Sequence, residues 1–154
     1  FMFPGALIGA LLAPIAGKLL DQLGPKKPIL IGLGFATIAL GGMALFFPSL
    51  PVIGLLLFHV MMMIGIGLSY SNLMTVSLNQ LSKQENADGN SILNTVQQFI
   101  GAAATAIVAQ IFAKAQSADA VNGVMVGSRY GVILLFALMV SSIMMFLFVM
   151  KMNK

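Results

Sequence analysis

Five long apolar stretches, separated by short polar breaks, run through the whole chain. Only 8% of the residues are charged and 59% are hydrophobic, whereas a soluble domain carries roughly a quarter charged residues. So few charges cannot cover a water-exposed surface. Because a bilayer span needs about 20 largely apolar residues, the chain has room for about five spans and their loops.

The predicted fold is an all-α polytopic transmembrane bundle. Helix is the expected state because an isolated apolar strand cannot satisfy its backbone in lipid, and no stretch alternates with the period of a barrel strand. Proline-containing turns separate the first three stretches, and the segment 86–90 is expected to precede a new helix. The predicted domain is one partial bundle over residues 1–154, with spans at about 1–20, 29–47, 52–76, 92–113 and 130–150.

The basic residues predict an orientation. If the loop 18–27 is cytoplasmic, alternation of the spans leaves only Lys114 and Arg129 outside. The inside set is Lys18, Lys26, Lys27, Lys83, Lys151 and Lys154. This positive-inside bias predicts a multi-pass cell (plasma) membrane protein with a cytoplasmic C-terminus. The net charge of +4 belongs to that bias, and no nucleic acid is expected as a partner, because the basic residues do not cluster with aromatics.

Enzymatic chemistry is not expected. Hydrolysis inside a membrane would need an aspartate pair, a serine–histidine pair or a zinc cluster. The chain has no cysteine, its one histidine is His59, and no aspartate lies in the core of a predicted span. The sequence therefore predicts no catalytic residue, no metal site and no cofactor.

The first polar break carries a compact pattern of glycine, aspartate and lysine: Gly17, Asp21, Gly24, Lys26 and Lys27. A glycine lets a neighbouring backbone come close, Asp21 can pair with a cation or cap a neighbouring helix, and the lysines can meet anionic head groups. An ion pair at the water boundary can form in one conformation and break in another, which predicts a conformational latch. The alternative is an ordinary tight turn with positive-inside lysines.

The pattern Gly-x-Leu-x-Asp-x-x-Gly-x-Lys-Lys over residues 17–27 resembles the cytoplasmic loop motif of the major facilitator superfamily, which follows the second helix of each six-helix half. Residues 4–6, 14–17 and 87–98 are similar to the C-terminal half of the fourteen-helix drug/proton antiporters of that superfamily. The resemblance implies that the five spans are the last five helices of such a transporter. The chain also opens on an apolar Phe1, so we expect it to begin within a helix.

The resemblance implies a secondary active transporter that exports drugs or other small amphipathic compounds in exchange for protons, by alternating access. Its expected partners are the lipid bilayer, a small-molecule substrate, protons as the coupling ion, and the missing N-terminal half of the same transporter. With no acidic residue in mid-span, the protonatable carboxylate of a proton-coupled exporter would lie in that half. The alternatives are a specific metabolite transporter of the same superfamily and a non-transporting membrane assembly module.

Two spans carry polar faces, which are costly in lipid unless they meet a cavity or a partner. In the fourth span a rotation of about 100° per residue gathers Asn90, Asn94, Gln97, Gln98, Gly101 and Thr105 on one side. Asn94, Gln97 and Gln98 are predicted to line the substrate cavity. Gly101 and Thr105 are predicted to pack against another helix.

In the third span, the predicted cavity residues share one face: His59, Met63, Tyr70 and Met74. Methionine adapts its shape and an aromatic ring attracts cations, so this face suits varied apolar or cationic drugs. A hydrogen-bonded structural role is the alternative for His59. Asn72 points to the opposite side and is expected to join helices. The spacings Gly5-x-x-x-Gly9 and Ala13-x-x-x-Gly17 are expected to allow close helix packing in the first span, and Gly32, Ala36 and Gly41 to do so less regularly in the second.

Overall fold

The computed structural model describes residues 3–152, and this part of the chain forms helices joined by short turns. The helices are α1 (Phe3–Leu23), α2 (Lys26–Phe46), α3 (Val52–Leu78), α4 (Asn86–Ala118) and α5 (Gly123–Met152), with a short 3-10 turn at Phe47–Ser49. The all-α prediction is confirmed. Lys154 and the first two residues of the first predicted span lie outside the described residues.

Four helical segments are long and apolar enough to cross a bilayer by length and composition: Lys26–Ser49, Val52–Leu78, Asn86–Ala118 and Gly123–Lys151. They match the last four predicted spans, and the chain is a multi-pass membrane protein. Helix α1 has 21 residues and overlaps the first predicted span. Passage of α1 through the membrane stays a prediction.

The connection between α1 and α2 is only two residues long. Gly24 has a φ of +72°, the left-handed conformation in which glycine commonly ends a helix. Pro25 has a φ of −67° and directly precedes α2, where its fixed dihedral suits a helix start. Lys26 and Lys27 therefore belong to the first turn of α2, and the predicted loop 18–27 is mostly helical.

A capping box precedes α4. The Ser82 hydroxyl donates to the Glu85 carboxylate at 2.6 Å, the Ser82 N–H donates to the same oxygen at 3.2 Å, and the Glu85 N–H donates back to the Ser82 hydroxyl at 3.4 Å. These bonds lower the pKa of Glu85 from its ordinary value of 4.5, the side-chain bond from Ser82 most of all. Because they satisfy backbone groups at a helix start, α4 already begins at Asn86.

The prediction that segment 86–90 precedes the helix is therefore wrong, since these residues form its first turns. Helix α5 begins at Gly123 and contains the whole predicted span 130–150. Its entry is capped by Asp119, whose carboxylate accepts the Val121 and Asn122 N–H groups at 2.9 and 3.0 Å, and Asn122 is the largest cause of a lowered pKa at Asp119. Polar helix ends extend past the apolar stretch, so hydropathy alone does not locate where a helix begins.

The chain divides into two compact units. The first contains Phe1–Leu73 and Val132–Lys154, and the second contains Met74–Gly131. In the first unit the buried apolar side chains include Ile29, Leu33, Ala36, Ala39, Leu40 and Leu68. They come from α2 and α3, so the contact between these two helices forms much of the core of this unit.

Small residues bring helices of the first unit together. Gly32 and Ala36 of α2 lie against Gly65 of α3, and a Cβ built on Gly67 would lie 3.2 Å from the Gly9 carbonyl oxygen of α1. The close packing expected at Gly9, Gly32 and Ala36 is confirmed, whereas a Cβ on Gly17 would meet no described atom of another helix. This close packing sets the distance of α3 from both neighbouring helices.

A glycine stripe on α5 packs against α4 in the second unit. Gly123, Gly127 and Gly131 are all buried, and a Cβ on Gly127 would lie 3.2 Å from the Phe112 Cα and 3.3 Å from the Ala115 Cβ. Glycine at every fourth position lets two helix backbones approach closely. The sequence interpretation missed this stripe, although its Gly-x-x-x-Gly-x-x-x-Gly spacing was the signal for it.

Candidate functional site

His59 and Met63 lie side by side against α1. A Cβ built on Gly5 would be 2.8 Å from the His59 Nε2 and Cδ2 atoms and 2.8 Å from the Met63 Cγ atom. Both side chains are half-buried. The missing side chain of Gly5 thus provides the space that the imidazole and the thioether stem occupy, and the structure brings these two predicted cavity residues together.

Tyr70 and Met74 continue the same side of α3 towards its C-terminal end. Tyr70 is 41% exposed, and Met74 is half-buried and belongs to the second unit. The face is therefore covered by α1 at its His59 end and more open at Tyr70. The cavity-lining role of all four residues stays a prediction.

Asn72 lies on the buried side of α3 and is only 1% exposed. Its amide nitrogen donates to the Leu68 carbonyl oxygen of the same helix at 2.8 Å, and the buried Ser69 hydroxyl donates in the same way to Gly65 at 2.8 Å. These bonds satisfy polar groups inside an apolar core. The observed Asn72 bond is within α3, so the expected interhelical role stays a prediction.

The polar stripe of α4 is internally hydrogen bonded. The Asn94 amide nitrogen donates to the Asn90 carbonyl oxygen at 2.9 Å and to its side-chain oxygen at 3.1 Å, and the Thr105 hydroxyl donates to the Gly101 carbonyl oxygen at 2.8 Å. Gln97 and Gln98 are exposed and Asn94 is half-buried. No residue of α4 is buried in the described structure.

Gly101 shows how open this stripe is. Among the described atoms, none lies within 4 Å of the position that a Cβ on Gly101 would take. Within the second unit, no other helix packs against Gly101 at this position, and the packing role of Gly101 and Thr105 stays a prediction. Either a helix from elsewhere or a cavity would meet the stripe.

The two glycines of the loop motif differ in their structural roles. Gly24 serves the turn through its left-handed backbone, whereas Gly17 has no described atom within 4 Å of its would-be Cβ. Asp21, Lys26 and Lys27 are exposed. The close backbone approach predicted at Gly17 is not made by the described residues, so the latch stays a prediction and Gly24 has a structural role of its own.

The described residues contain no evident metal-binding site. Over those residues, no group of three or more histidine and acidic side chains could hold a metal ion. A groove of about 350 Å³ in the second unit is lined by apolar groups together with Gln110 and Lys114 of α4.

Sequence comparison decides the family. The family model of the Major Facilitator Superfamily matches residues 1–106. The chain belongs to the major facilitator superfamily. This membership confirms the resemblance carried by residues 17–27, and it places the chain in a family of multi-pass membrane transporters.

Several curated relatives in the major facilitator superfamily are similar to the chain. It is 31% identical over 115 residues to the lincomycin resistance protein LmrB of Bacillus subtilis (strain 168), covering 75% of this chain and 24% of that protein. It is 34% identical over 109 residues to the multidrug resistance protein B homolog of Mycobacterium tuberculosis, covering 66% and 19%. The riboflavin transporter RibZ of Clostridioides difficile is 34% identical over 108 residues, covering 70% and 24%.

The chain spans about a quarter of the length of the first of these relatives. No solved structure matches it. The family assignment thus rests on sequence, and the helical architecture above agrees with it.

Proposed function

We propose that the chain is the C-terminal part of a secondary active transporter that exports drugs or other small amphipathic compounds in exchange for protons. Relatives named for lincomycin resistance and multidrug resistance support export of such compounds. In this proposal the relatives' additional length corresponds to an N-terminal half. That half completes the transporter and supplies the carboxylate that binds the coupling proton.

The open polar stripe of α4 carries this proposal. Polar groups at membrane depth need a cavity or a partner, and Gln98 is exposed on a helix of which no residue is buried in the described chain. A transporter built from two bundles binds substrate between them and rocks to open the site to each side in turn. The stripe has the composition expected of a helix that faces such a site.

The side chains of α3 suggest how substrates would be held. Met63 can adapt its shape, the partly exposed Tyr70 ring can attract a cation, and the His59 imidazole can exchange a hydrogen bond. None of these groups restricts a substrate to one binding geometry. The set therefore favours recognition of varied amphipathic compounds rather than covalent chemistry, and we do not propose an enzyme.

A transporter for one metabolite is the second candidate. The similarity to a protein named as a riboflavin transporter supports it. A substrate-specific site needs more fixed hydrogen-bonding groups than an adaptable one. In this alternative, Asn94 and Gln98 would form hydrogen bonds with one defined polar substrate.

The test measures efflux from cells that lack their own exporters. The full-length gene product containing this chain is expressed, and loss of lincomycin, a cationic dye and riboflavin is followed with and without a protonophore. Drug export predicts efflux of lincomycin and the dye that collapses with the proton gradient. Efflux of riboflavin alone would favour the metabolite transporter, and efflux that survives the protonophore would contradict proton exchange.

Paired variants test the stripe. Gln97→Ala should change the ranking of exported compounds, whereas Thr95→Ala, about 160° around α4 from Gln97, should not. Thr95 is a fair control because its hydroxyl is bonded within the helix to the Ser91 carbonyl oxygen at 2.8 Å.

The isolated chain 1–154 in liposomes should not transport, because alternating access needs two bundles that rock against each other. Saturable efflux by that chain would contradict the proposal.

A further inference from the structure

The first unit contains a seam where α2 meets the C-terminal part of α5. A Cβ built on Gly41 would lie 3.0 Å from the Phe136 Cε2 atom. The phenyl ring thus lies across the bare backbone of Gly41, which makes the two helices immediate neighbours at this level.

Residue spacing and helix direction place three lysines at one end of this seam. Two spans separate α2 from α5 in the chain, so alternation through the membrane sends them in opposite directions. Lys26 precedes Gly41 by fifteen residues and Lys151 follows Phe136 by fifteen, which brings these lysines to the same end of the seam. Lys27 adjoins Lys26, and the side chains of all three lysines are exposed.

An apolar groove of about 330 Å³ opens along the same seam, deeper in the unit. Its lining includes Leu40 of α2, Met62 and Ile66 of α3, and Leu138, Met139 and Ser142 of α5. The Ser142 hydroxyl is the one polar group among these side chains, and it donates to the Leu138 carbonyl oxygen at 2.9 Å. An occupant of the groove therefore needs no polar group.

The spacing between lysines and groove matches one leaflet of a bilayer. Leu138 precedes Lys151 by thirteen residues, which is about 20 Å along a helix. Half of a bilayer, head groups included, is also about 20 Å thick. With the lysines at head-group level, the groove lies near the membrane midplane, where acyl chains end.

We propose that this seam binds an anionic phospholipid, with its phosphate between Lys26, Lys27 and Lys151 and one acyl chain in the groove. Charge selects the lipid class, since basic clusters between transmembrane helices at the cytoplasmic side favour anionic head groups. The neighbouring end of α1 adds Lys18 and Asp21, whose charges offset each other. The cluster therefore keeps the net positive charge of its three lysines. The proposal does not depend on which compound is transported.

Native mass spectrometry of the purified chain in neutral detergent tests this site. Phosphatidylglycerol and phosphatidylcholine with identical acyl chains are titrated, and the bound lipid is counted. We expect phosphatidylglycerol to bind with a preference of roughly tenfold, lost in the double variant Lys26→Gln/Lys151→Gln. Lys83→Gln is the matched control, because Lys83 is also exposed but lies in the second unit.

A second variant tests the groove. Ser142→Phe should fill it and reduce binding of phosphatidylglycerol while all three lysines remain. Circular dichroism confirms that each variant keeps its helices, and a variant that unfolds is replaced by Lys27→Gln or Ser142→Leu.

Three results would overturn the proposal. Equal binding of the two lipids would show that the site does not select for head-group charge. An equal loss of phosphatidylglycerol binding in Lys83→Gln would show that the overall charge of the protein causes the effect. Full competition by glycerol phosphate, with no effect of Ser142→Phe, would show a phosphate site without an acyl groove.

Discussion

Gly32 of α2 and Gly65 of α3 meet backbone to backbone. A Cβ built on Gly32 would lie 2.6 Å from the Gly65 carbonyl oxygen, and a Cβ on Gly65 would lie 2.5 Å from the Gly32 carbonyl oxygen. Real Cβ atoms essentially never come within 3.0 Å of a heavy atom of another helix. The obstructing atoms are backbone, so they cannot rotate away, and a side chain at either glycine would push the helices apart.

Gly32→Ala is therefore expected to destabilise the first unit by about 1 to 3 kcal/mol, the usual cost of overpacking a core. Gly34→Ala is the matched control on the same helix, because no described atom lies within 4 Å of its would-be Cβ. There alanine should be neutral or stabilising, since it favours helix. Thermal unfolding in detergent compares the two, and equal melting temperatures would contradict the crossing described here.

Gly24 gives a second prediction. Its φ of +72° favours glycine, and no described atom crowds its would-be Cβ, so a substitution meets backbone strain but no clash. Asparagine tolerates this conformation and valine does not. Gly24→Asn should cost little, whereas Gly24→Val should cost roughly 1 to 2 kcal/mol. Proteolysis at the α1–α2 turn would report the difference, and similar cleavage of both variants would show that the turn readily changes shape.

The capping box at the start of α4 predicts a dependence on pH. Hydrogen bonds from Ser82 lower the pKa of Glu85 below 4.5, so the ionised carboxylate stabilises the folded turn. That contribution is present above the unfolded pKa and is lost as the pH falls through the lower folded pKa. Amide exchange at Asn86 and Gly89, corrected for intrinsic pH effects, should therefore quicken below about pH 4.5.

Ser82→Ala should quicken the same exchange roughly fivefold at neutral pH, as expected for loss of a helix cap. Glu85→Gln should remove most of the acid dependence. Unchanged protection in both variants would show that α4 begins independently of these side chains.

Much of the fold could be predicted from the sequence because a membrane span requires a continuous apolar stretch. That signal located the cores of α2 to α5, but it could not find the polar turns at Asn86 and Gly123, which lie at helix ends. The meeting of His59 with Met63 follows from helical periodicity. Their contact with Gly5 depends on how α1 packs, which periodicity within α3 does not specify.

For the α4 stripe, too, one part could be predicted from the sequence and another part depends on packing. Periodicity groups Asn94 with Gln97 and Gln98 on one face, and a hydrogen bond joins Asn94 to Asn90 of the same face. What meets the face depends on tertiary packing, which periodicity within α4 does not specify. The glycine stripe of α5 was missed because polar side chains were weighed above the spacing of small ones.

Topology gives a fourth prediction. The bias of lysines predicts that a cysteine label at Lys26 and a tag after Lys154 are both cytoplasmic. A label at Asn122, in the turn before α5, should be external. Impermeant reagents applied to intact cells and to inverted vesicles measure this. Labelling of Lys26 and Asn122 from the same side would contradict the alternating five-span arrangement.

Asp21 gives the last prediction, made in the full-length transporter. Its carboxylate is exposed one helical turn beyond Gly17, whose would-be Cβ meets no described atom. This surface is therefore free to meet another part of the transporter in one conformational state and to separate in another. If it does, Asp21→Asn should shift the balance of states and lower the transport rate at least tenfold, while substrate affinity changes little.

Tyr70→Ala is the contrasting variant, because it should alter substrate affinity more than the balance of states. Transport rate, equilibrium binding and membrane abundance are measured together for both variants. An equal loss of binding and transport in Asp21→Asn, at normal abundance, would falsify the latch. Reduced abundance as the main effect would instead make the aspartate a folding element, because a latch acts on the conformational equilibrium of protein that is already assembled.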